Sequence, residues 1–250
     1  MAYPGRAVRK GDPRPDVVSA VQTRLNAIGC GPVDTDGIFG DETESAVKLF
    51  QTRRNVEPDG VVGPLTWSEL FADPAPVNET AGGPLLAQAL KVAISQDGVR
   101  EAGGPNRGPQ VDQYLQRVGK DPTKGAYSWC AAFVYWCFDE AAKALSVANP
   151  VVKTAGVLDH WAKSPTEARV YAKAAFDDPS LIRPGAIFII DHGSGKGHTG
   201  IVTKVLSGEI ATIEGNTNSR GSREGDGVYQ KTRTIASINV GFIDYGLLDA

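Results

Sequence analysis

The sequence predicts an α+β chain, helices first and an antiparallel sheet afterwards, and three observations carry that reading. From residue 130 apolar side chains recur at 130, 133, 134, 137, 138, 141 and 145, the stripe of an amphipathic helix. Two further helices are expected before it, over about 84–96 and over VDQYLQRVG (111–119). From residue 185 the texture changes to GAIFIID, HTGIVTKVL, EIATIEG, GVYQKTRTI and NVGFIDYG, short β-branched-rich runs divided by glycine-rich turns. Ahead of both, ADPAPVNETAGGP (72–84) is rich in proline, alanine and glycine, has no periodicity and reads as a linker. The expected organisation is a helical part over 1–71, a linker over 72–84 and an α+β part over 85–250.

Composition bounds the function. The 250 residues are enough for a sizeable core, and 41% hydrophobic with 22% charged residues is globular usage. The net charge is −3, and neither half has the basic excess expected of a nucleic-acid binder or an anionic-membrane binder. No apolar run approaches the ~20 residues of a membrane span. The start, MAYPGRAVRKGDPRP, lacks an apolar h-region, so no Sec signal peptide is expected, and work outside the cytoplasm would need another route of export. Three cysteines, one necessarily unpaired, fit synthesis in a reducing compartment. The chain is expected to be monomeric.

The helical part contains a repeat. DGIFGDET (36–43) and DGVVGPLT (59–66) share aspartate, two glycines and threonine in register, and VQTRLNA (21–27) matches FQTRRNV (50–56). Each DG pair reads as a tight turn with glycine at φ > 0, and each threonine as the cap of the helix that follows, giving three short helices. Asp34–Gly37 lacks the remaining ligand spacing of a calcium loop. The pattern over residues 10–71 resembles the type 1 peptidoglycan-binding domain. That resemblance implies binding to cell-wall glycan or stem peptide.

In YSWCAAFVYWC (127–137), Ser128 is the expected N-cap and Cys130 the second helical residue. Seven helical residues rise about 10 Å, too far for a Cys130–Cys137 disulfide or a shared zinc. Cys137 lies two turns in and is expected to be core. Cys130 sits where unpaired N–H groups and the helix dipole stabilise a thiolate, which leaves it open as either core residue or nucleophile. Of three histidines, His160 is placed in a helix as a packing or surface residue, and His192 in the turn DHGSGKGH. His198 opens the strand HTGIVTKV, a rigid position better suited to a general base; His192 is the lesser alternative. Glu214 and Asn216 are two apart in EIATIEGNTN and are expected on one strand face, where either can hold the imidazole or both can be exposed turn residues.

WCAAFVYW, RPGAIFII, GHTGIV and IEGN together resemble the CHAP domain, a cysteine- and histidine-dependent amidohydrolase or peptidase of papain-like fold, over roughly residues 85–245. The resemblance implies Cys130 as nucleophile, His198 as base, Glu214 as its orienter and Asn216 as a fourth, supporting polar group. Glu214 is expected on the Nδ1–H of His198. Tyr127 and Trp129 are expected to line the substrate groove. Trp129 departs from the polar residue many members carry before the cysteine, and the acidic calcium loop of some members is missing from DPTKGAYSWC. No metal or other cofactor is expected. The implied function is a peptidoglycan hydrolase acting on an amide of the murein peptide as a phage endolysin after holin-type release. A secreted wall-degrading effector and a non-catalytic wall-binding or structural protein are the alternatives.

Overall fold

The computed structural model describes residues 1–54, 56–71, 81–206, 208–218 and 225–249. Most of the expected linker, residues 72–80, lies outside the described residues. The N-terminal part contains α1 (Pro15–Ala27), α2 (Asp41–Arg53) and α3 (Pro64–Leu70). Proline in the first turn starts α1 and α3, where its missing N–H costs nothing. Asp41, Glu42 and Glu44 face the positive end of the α2 dipole. Val18, Val21, Gln22 and Leu25 bury one stripe of α1, and Ala46, Val47, Phe50 and Gln51 bury the matching stripe of α2.

Two buried glutamines explain the repeat. Gln22 Nε2 donates to Asp36 Oδ1 (2.9 Å), the Ile38 carbonyl (3.0 Å) and Thr43 Oγ1 (3.1 Å), and its Oε1 accepts from the Gly37 amide (2.9 Å). Gln51 repeats the pattern with Asp59 (2.7 Å), Val61 (3.0 Å), Thr66 (3.2 Å) and Gly60 (2.8 Å). Gly37 and Gly60 take φ of 75° and 77°, as the turn reading requires. The threonines are not caps. Gly40 and Gly63 occupy the N-cap positions, and Thr43 and Thr66 point inward as acceptors for the glutamines.

The C-terminal part begins with α4 (Pro84–Ser95), α5 (Pro109–Arg117), α6 (Cys130–Leu145) and α7 (Val157–Lys163). Its strands are β1 (Arg169–Tyr171), β2 (Ile187–Gly193), β3 (Lys196–Val205), β4 (Glu209–Thr217), β5 (Gly227–Thr234) and β6 (Gly241–Ile243), with α8 (Ala172–Asp177) after β1. They form one antiparallel sheet in the order β1-β6-β2-β3-β4-β5, in agreement with the α+β expectation. The run DHGSGKGH is mostly strand. Only Ser194 and Gly195, at φ 54° and 72°, turn the β2–β3 hairpin, and His192 stands on the exposed end of β2.

The sheet divides the core. Ile187, Ile189, Ile201, Ile213 and Ile243 cluster with Phe133, Val134, Cys137 and Phe138 of α6 and with Leu86 and Ala89 of α4. Cys137 is fully buried, as expected, and burial pushes its thiol well above the ordinary range. On the other face Phe188, Ile190, Val202, Ile210 and Phe242 belong to one continuous cluster with Phe176 of α8 and the core of the N-terminal helices.

That continuity changes the picture of a tethered module. Arg54 Nη1 meets Asp177 Oδ1 at 3.2 Å, Lys173 Nζ donates to the Arg53 carbonyl at 3.2 Å, and Arg53 donates to the Ala236 carbonyl. Both arginines lie over the Phe176 ring, at 5.8 and 5.3 Å. Gly29 abuts Gly208 and Thr234 so closely that a Cβ would collide with them. The helices are therefore seated on α8 and on the end of β5. Deleting residues 1–80 is expected to uncover Phe176 and its neighbours and to lower the thermal midpoint of the remainder by at least about 4 °C. An unchanged midpoint by calorimetry, with no gain in hydrophobic-dye binding, would show that the seat contributes nothing.

Candidate active site

The first turn of α6 presses against β4. A Cβ on Gly215 would stand 2.7 Å from both Phe133 Cβ and Trp129 Cζ3, so only glycine lets the helix start approach the strand this closely. Trp129, not Ser128, is the N-cap residue, and Cys130 is the first residue of the helix. Trp129 is fully buried, donates its indole N–H to Glu101 Oε1 (2.9 Å) and stacks on Tyr114 with centroids 5.6 Å apart. It thus packs the core beneath Cys130 and does not line a groove, contrary to the sequence expectation. Tyr127 is half-buried, with Lys120 Nζ 5.2 Å from its ring centroid.

Cys130 is 3% exposed and lies close enough to His198 on β3 to interact with its ring. The ring's Nε2 bonds Glu214 Oε2 on β4 at 2.8 Å, so Nδ1 is the nitrogen not engaged by the carboxylate. The sequence expectation had the nitrogens reversed. Gly200 makes room for this pair: a Cβ there would lie 2.8 Å from Glu214 Cγ and 2.9 Å from the Phe188 ring.

Glu214 has no solvent exposure, and its carboxylate is saturated. Oε1 accepts from Thr212 Oγ1 (2.6 Å) and Arg233 Nε (2.6 Å); Oε2 accepts from Arg233 Nη2 (2.6 Å) and His198 Nε2. A carboxylate offers about four acceptor directions, and all four are used. Because every partner must donate, the His198 tautomer is fixed with hydrogen on Nε2. Burial works to raise the Glu214 carboxyl, but the hydrogen bonds from His198 and Arg233 prevail and hold it down at about 2. Burial likewise works to lower His198, and the hydrogen bonds and charges of Cys130 and Glu214 prevail, raising it to about 9.

Asn216 is brought near but not in. Its φ of 55° and the register shift between Glu214 and Thr217 break the two-residue alternation that placed it beside Glu214. It is 6% exposed, and its Oδ1 is buried without a hydrogen-bond partner among the described residues. His160 is elsewhere, buried in α7 with Nε2 3.0 Å from Tyr245 Oη, and burial lowers it to about 4. Among the described residues no three His, Cys, Asp or Glu side chains are grouped to hold a metal ion, and no helix is long and apolar enough to cross a membrane. Arg233 and Thr212 were missed by the sequence reading. Their one signal is that charged and hydroxyl side chains on alternate strand positions share a face.

Residues 14–70 match the family model described as "Putative peptidoglycan binding domain", and residues 122–216 match that of the CHAP domain. A protein of Kitasatospora aureofaciens, described as an uncharacterized protein in the bpoA1 3'region, is 48% identical over 56 residues. That is 22% of this chain and 48% of the other, so the chain spans about half the length of the curated relative it matches. The crystal structure of a Burkholderia AP3 phage endolysin aligns over 56% of this chain and 63% of that one, at 24% identity and a TM-score of 0.26.

The contacts separate Glu214 from Asn216 experimentally. Glu214→Gln removes the charge that favours a protonated His198, so the basic limb of Cys130 alkylation is expected to fall by about one pH unit or more. Asn216→Ala breaks no bond to the imidazole and should leave that limb in place. Peptide-mapped labelling across pH makes the comparison, and a larger shift from Asn216→Ala would reverse the two roles.

Proposed function

We propose that this chain, with a peptidoglycan-binding region ahead of a CHAP region, is a peptidoglycan hydrolase that cleaves an amide bond in the murein peptide. Residues 1–71 are its wall-binding part and 85–250 its catalytic part. The observation that carries the reading is the placing of His198 between a cysteine at a helix start and a buried, fully bonded carboxylate. An imidazole carrying its proton near neutral pH is the partner a thiolate nucleophile needs.

In the reaction, Cys130 Sγ attacks the amide carbonyl carbon and the carbonyl π electrons move to oxygen. The N–H groups of the first α6 turn, which have no intrahelical acceptors, favour the resulting oxyanion. Collapse of the tetrahedral intermediate breaks the C–N bond, and His198 Nδ1–H protonates the leaving amine. The neutral ring then takes a proton from water as hydroxide adds to the thioester, and Cys130 leaves as thiolate. Throughout, Glu214 keeps Nε2–H in place. Asn216 is the supporting polar group near Glu214 on β4, and Tyr127 borders the approach to Cys130. The pairing of a wall-binding part with a hydrolase suits a phage endolysin, released onto the wall at lysis.

Purified sacculi provide the test. Cys130→Ala should lose at least about a hundredfold in solubilising activity while still sedimenting with the wall. Cys137→Ala should keep activity in the folded fraction at a cost of about 1 kcal/mol. A thiol alkylator should stop the wild type, whereas EDTA should leave its rate within about twofold, since DPTKGAYSWC offers no oxygen-ligand set. Activity surviving in Cys130→Ala, or lost to EDTA and restored by a divalent ion, would refute the reading. Mass spectrometry of the released muropeptides identifies the bond.

A further inference from the structure

The orienting carboxylate does not hold itself. Glu214 is completely buried, and a buried carboxylate with one neutral hydrogen-bond partner would take up a proton instead of staying charged. Arg233 meets it with two parallel N–H bonds of 2.6 Å, the bidentate geometry that fixes a carboxylate in rotation as well as in distance. Without Arg233 only Thr212 on Oε1 and His198 on Oε2 restrain rotation about the Cγ–Cδ axis, and that rotation breaks the 2.8 Å contact to His198 Nε2.

Arg233 is itself constrained. Its guanidinium lies over the Phe188 ring at 5.2 Å, and its side chain is 22% exposed. Its backbone pairs with Ile210 of β4, one turn of the pleat from Thr212, the hydroxyl that completes the carboxylate's shell. The next residues along, Thr234 and Ala236, are those on which the N-terminal helices are seated. Arg233 also lies beyond residue 216, where the match to the CHAP family model ends.

The structure assigns Arg233 as a positioning residue: it locks the Glu214 carboxylate, ionised and correctly rotated, against His198 and so poises Cys130 for attack. The assignment rests on the reading of Cys130, His198 and Glu214 as a reacting unit. It acts only through Glu214 and touches no reacting atom. Arg233, Glu214 and His198 alternate in charge along one line of contacts, so removing the first leaves a buried anion with too few partners.

The test uses the full chain and reads Cys130 alkylation by iodoacetamide against pH, mapped by mass spectrometry to separate Cys30 and Cys137. Turnover on a soluble muropeptide and the thermal midpoint are measured alongside. In Arg233→Met, Glu214 gains a proton at higher pH, so the acid limb is expected to move up by about one pH unit or more. Turnover should fall at least about tenfold with KM changed less than about threefold, and Arg233→Lys, which restores charge without the second bond, should lie between. Should Arg233→Met not fold, Arg233→Gln, which keeps a donor but no charge, is read the same way. A wild-type pH profile and turnover in these variants, whatever the midpoint does, overturns the assignment of Arg233. A wild type whose Cys130 reacts no faster than a free thiol at any pH overturns the reading of the site itself.

Discussion

A single buried carboxylate organises the C-terminal half of this chain. Glu214 accepts four hydrogen bonds, from Thr212, His198 and twice from Arg233, with no exposure to water. Desolvating an unpaired carboxylate costs several kcal/mol, and that cost is offset only when the geometry is good and the remaining lone pairs are met. Those conditions account for much of the local sequence. Glycine at 200 leaves room for the side chain, and glycine at 215 admits the helix that carries Cys130. Arginine rather than lysine at 233 supplies two parallel donors.

The same contacts set the pH behaviour. His198 is raised above its unfolded value of 6.5, so its contribution to stability is full below about 6.5 and is lost as pH rises through about 9. Glu214 is depressed below 4.5, so its contribution is full above about 4.5 and is lost as pH falls through about 2. His160 runs the other way from His198. Buried and neutral, it destabilises the fold progressively as pH drops from about 6.5 to about 4, because the unfolded chain binds its proton more readily. The structure thus holds two histidines of opposite character in one domain.

The sequence made the elements legible wherever period and punctuation agreed. Proline at 84 and the apolar stripe from Cys130 to Leu145 place α4 and α6 to within a residue or two. β1 has three residues, too few to show an alternation. The helical part was readable as a repeat, yet its threonines were misassigned because a cap and a buried acceptor have the same local pattern. Only the distant Gln22 and Gln51 decide between them. In the site, helix end and strand period marked Cys130, His198 and Glu214 only as candidates, and their joint role was implied by the resemblance to the CHAP domain. Asn216 escaped because one left-handed residue breaks the alternation, and Arg233 because the β4–β5 register is written nowhere locally. Trp129 was misplaced since adjacency to Cys130 says nothing of which way a capping residue points.

The seating of the N-terminal helices against α8 and the end of β5 also lay outside local pattern. It joins two apolar surfaces that are 120 or more positions apart in sequence, as the Arg54–Asp177 contact is, at 123. The account as a whole stands on the charge of the His198 ring, which is open to direct measurement. With 15N-labelled histidine, the three imidazoles of the chain can be followed by NMR from pH 4 to pH 10. The account predicts that His198 stays an imidazolium through neutral pH, titrating at about 9, while His160 stays neutral down to about 4. In Cys130→Ala the His198 midpoint should move down, because the contribution of Cys130 is gone. A His198 that titrates near 6.5 in the wild type, unmoved by Cys130→Ala, would contradict the central claim.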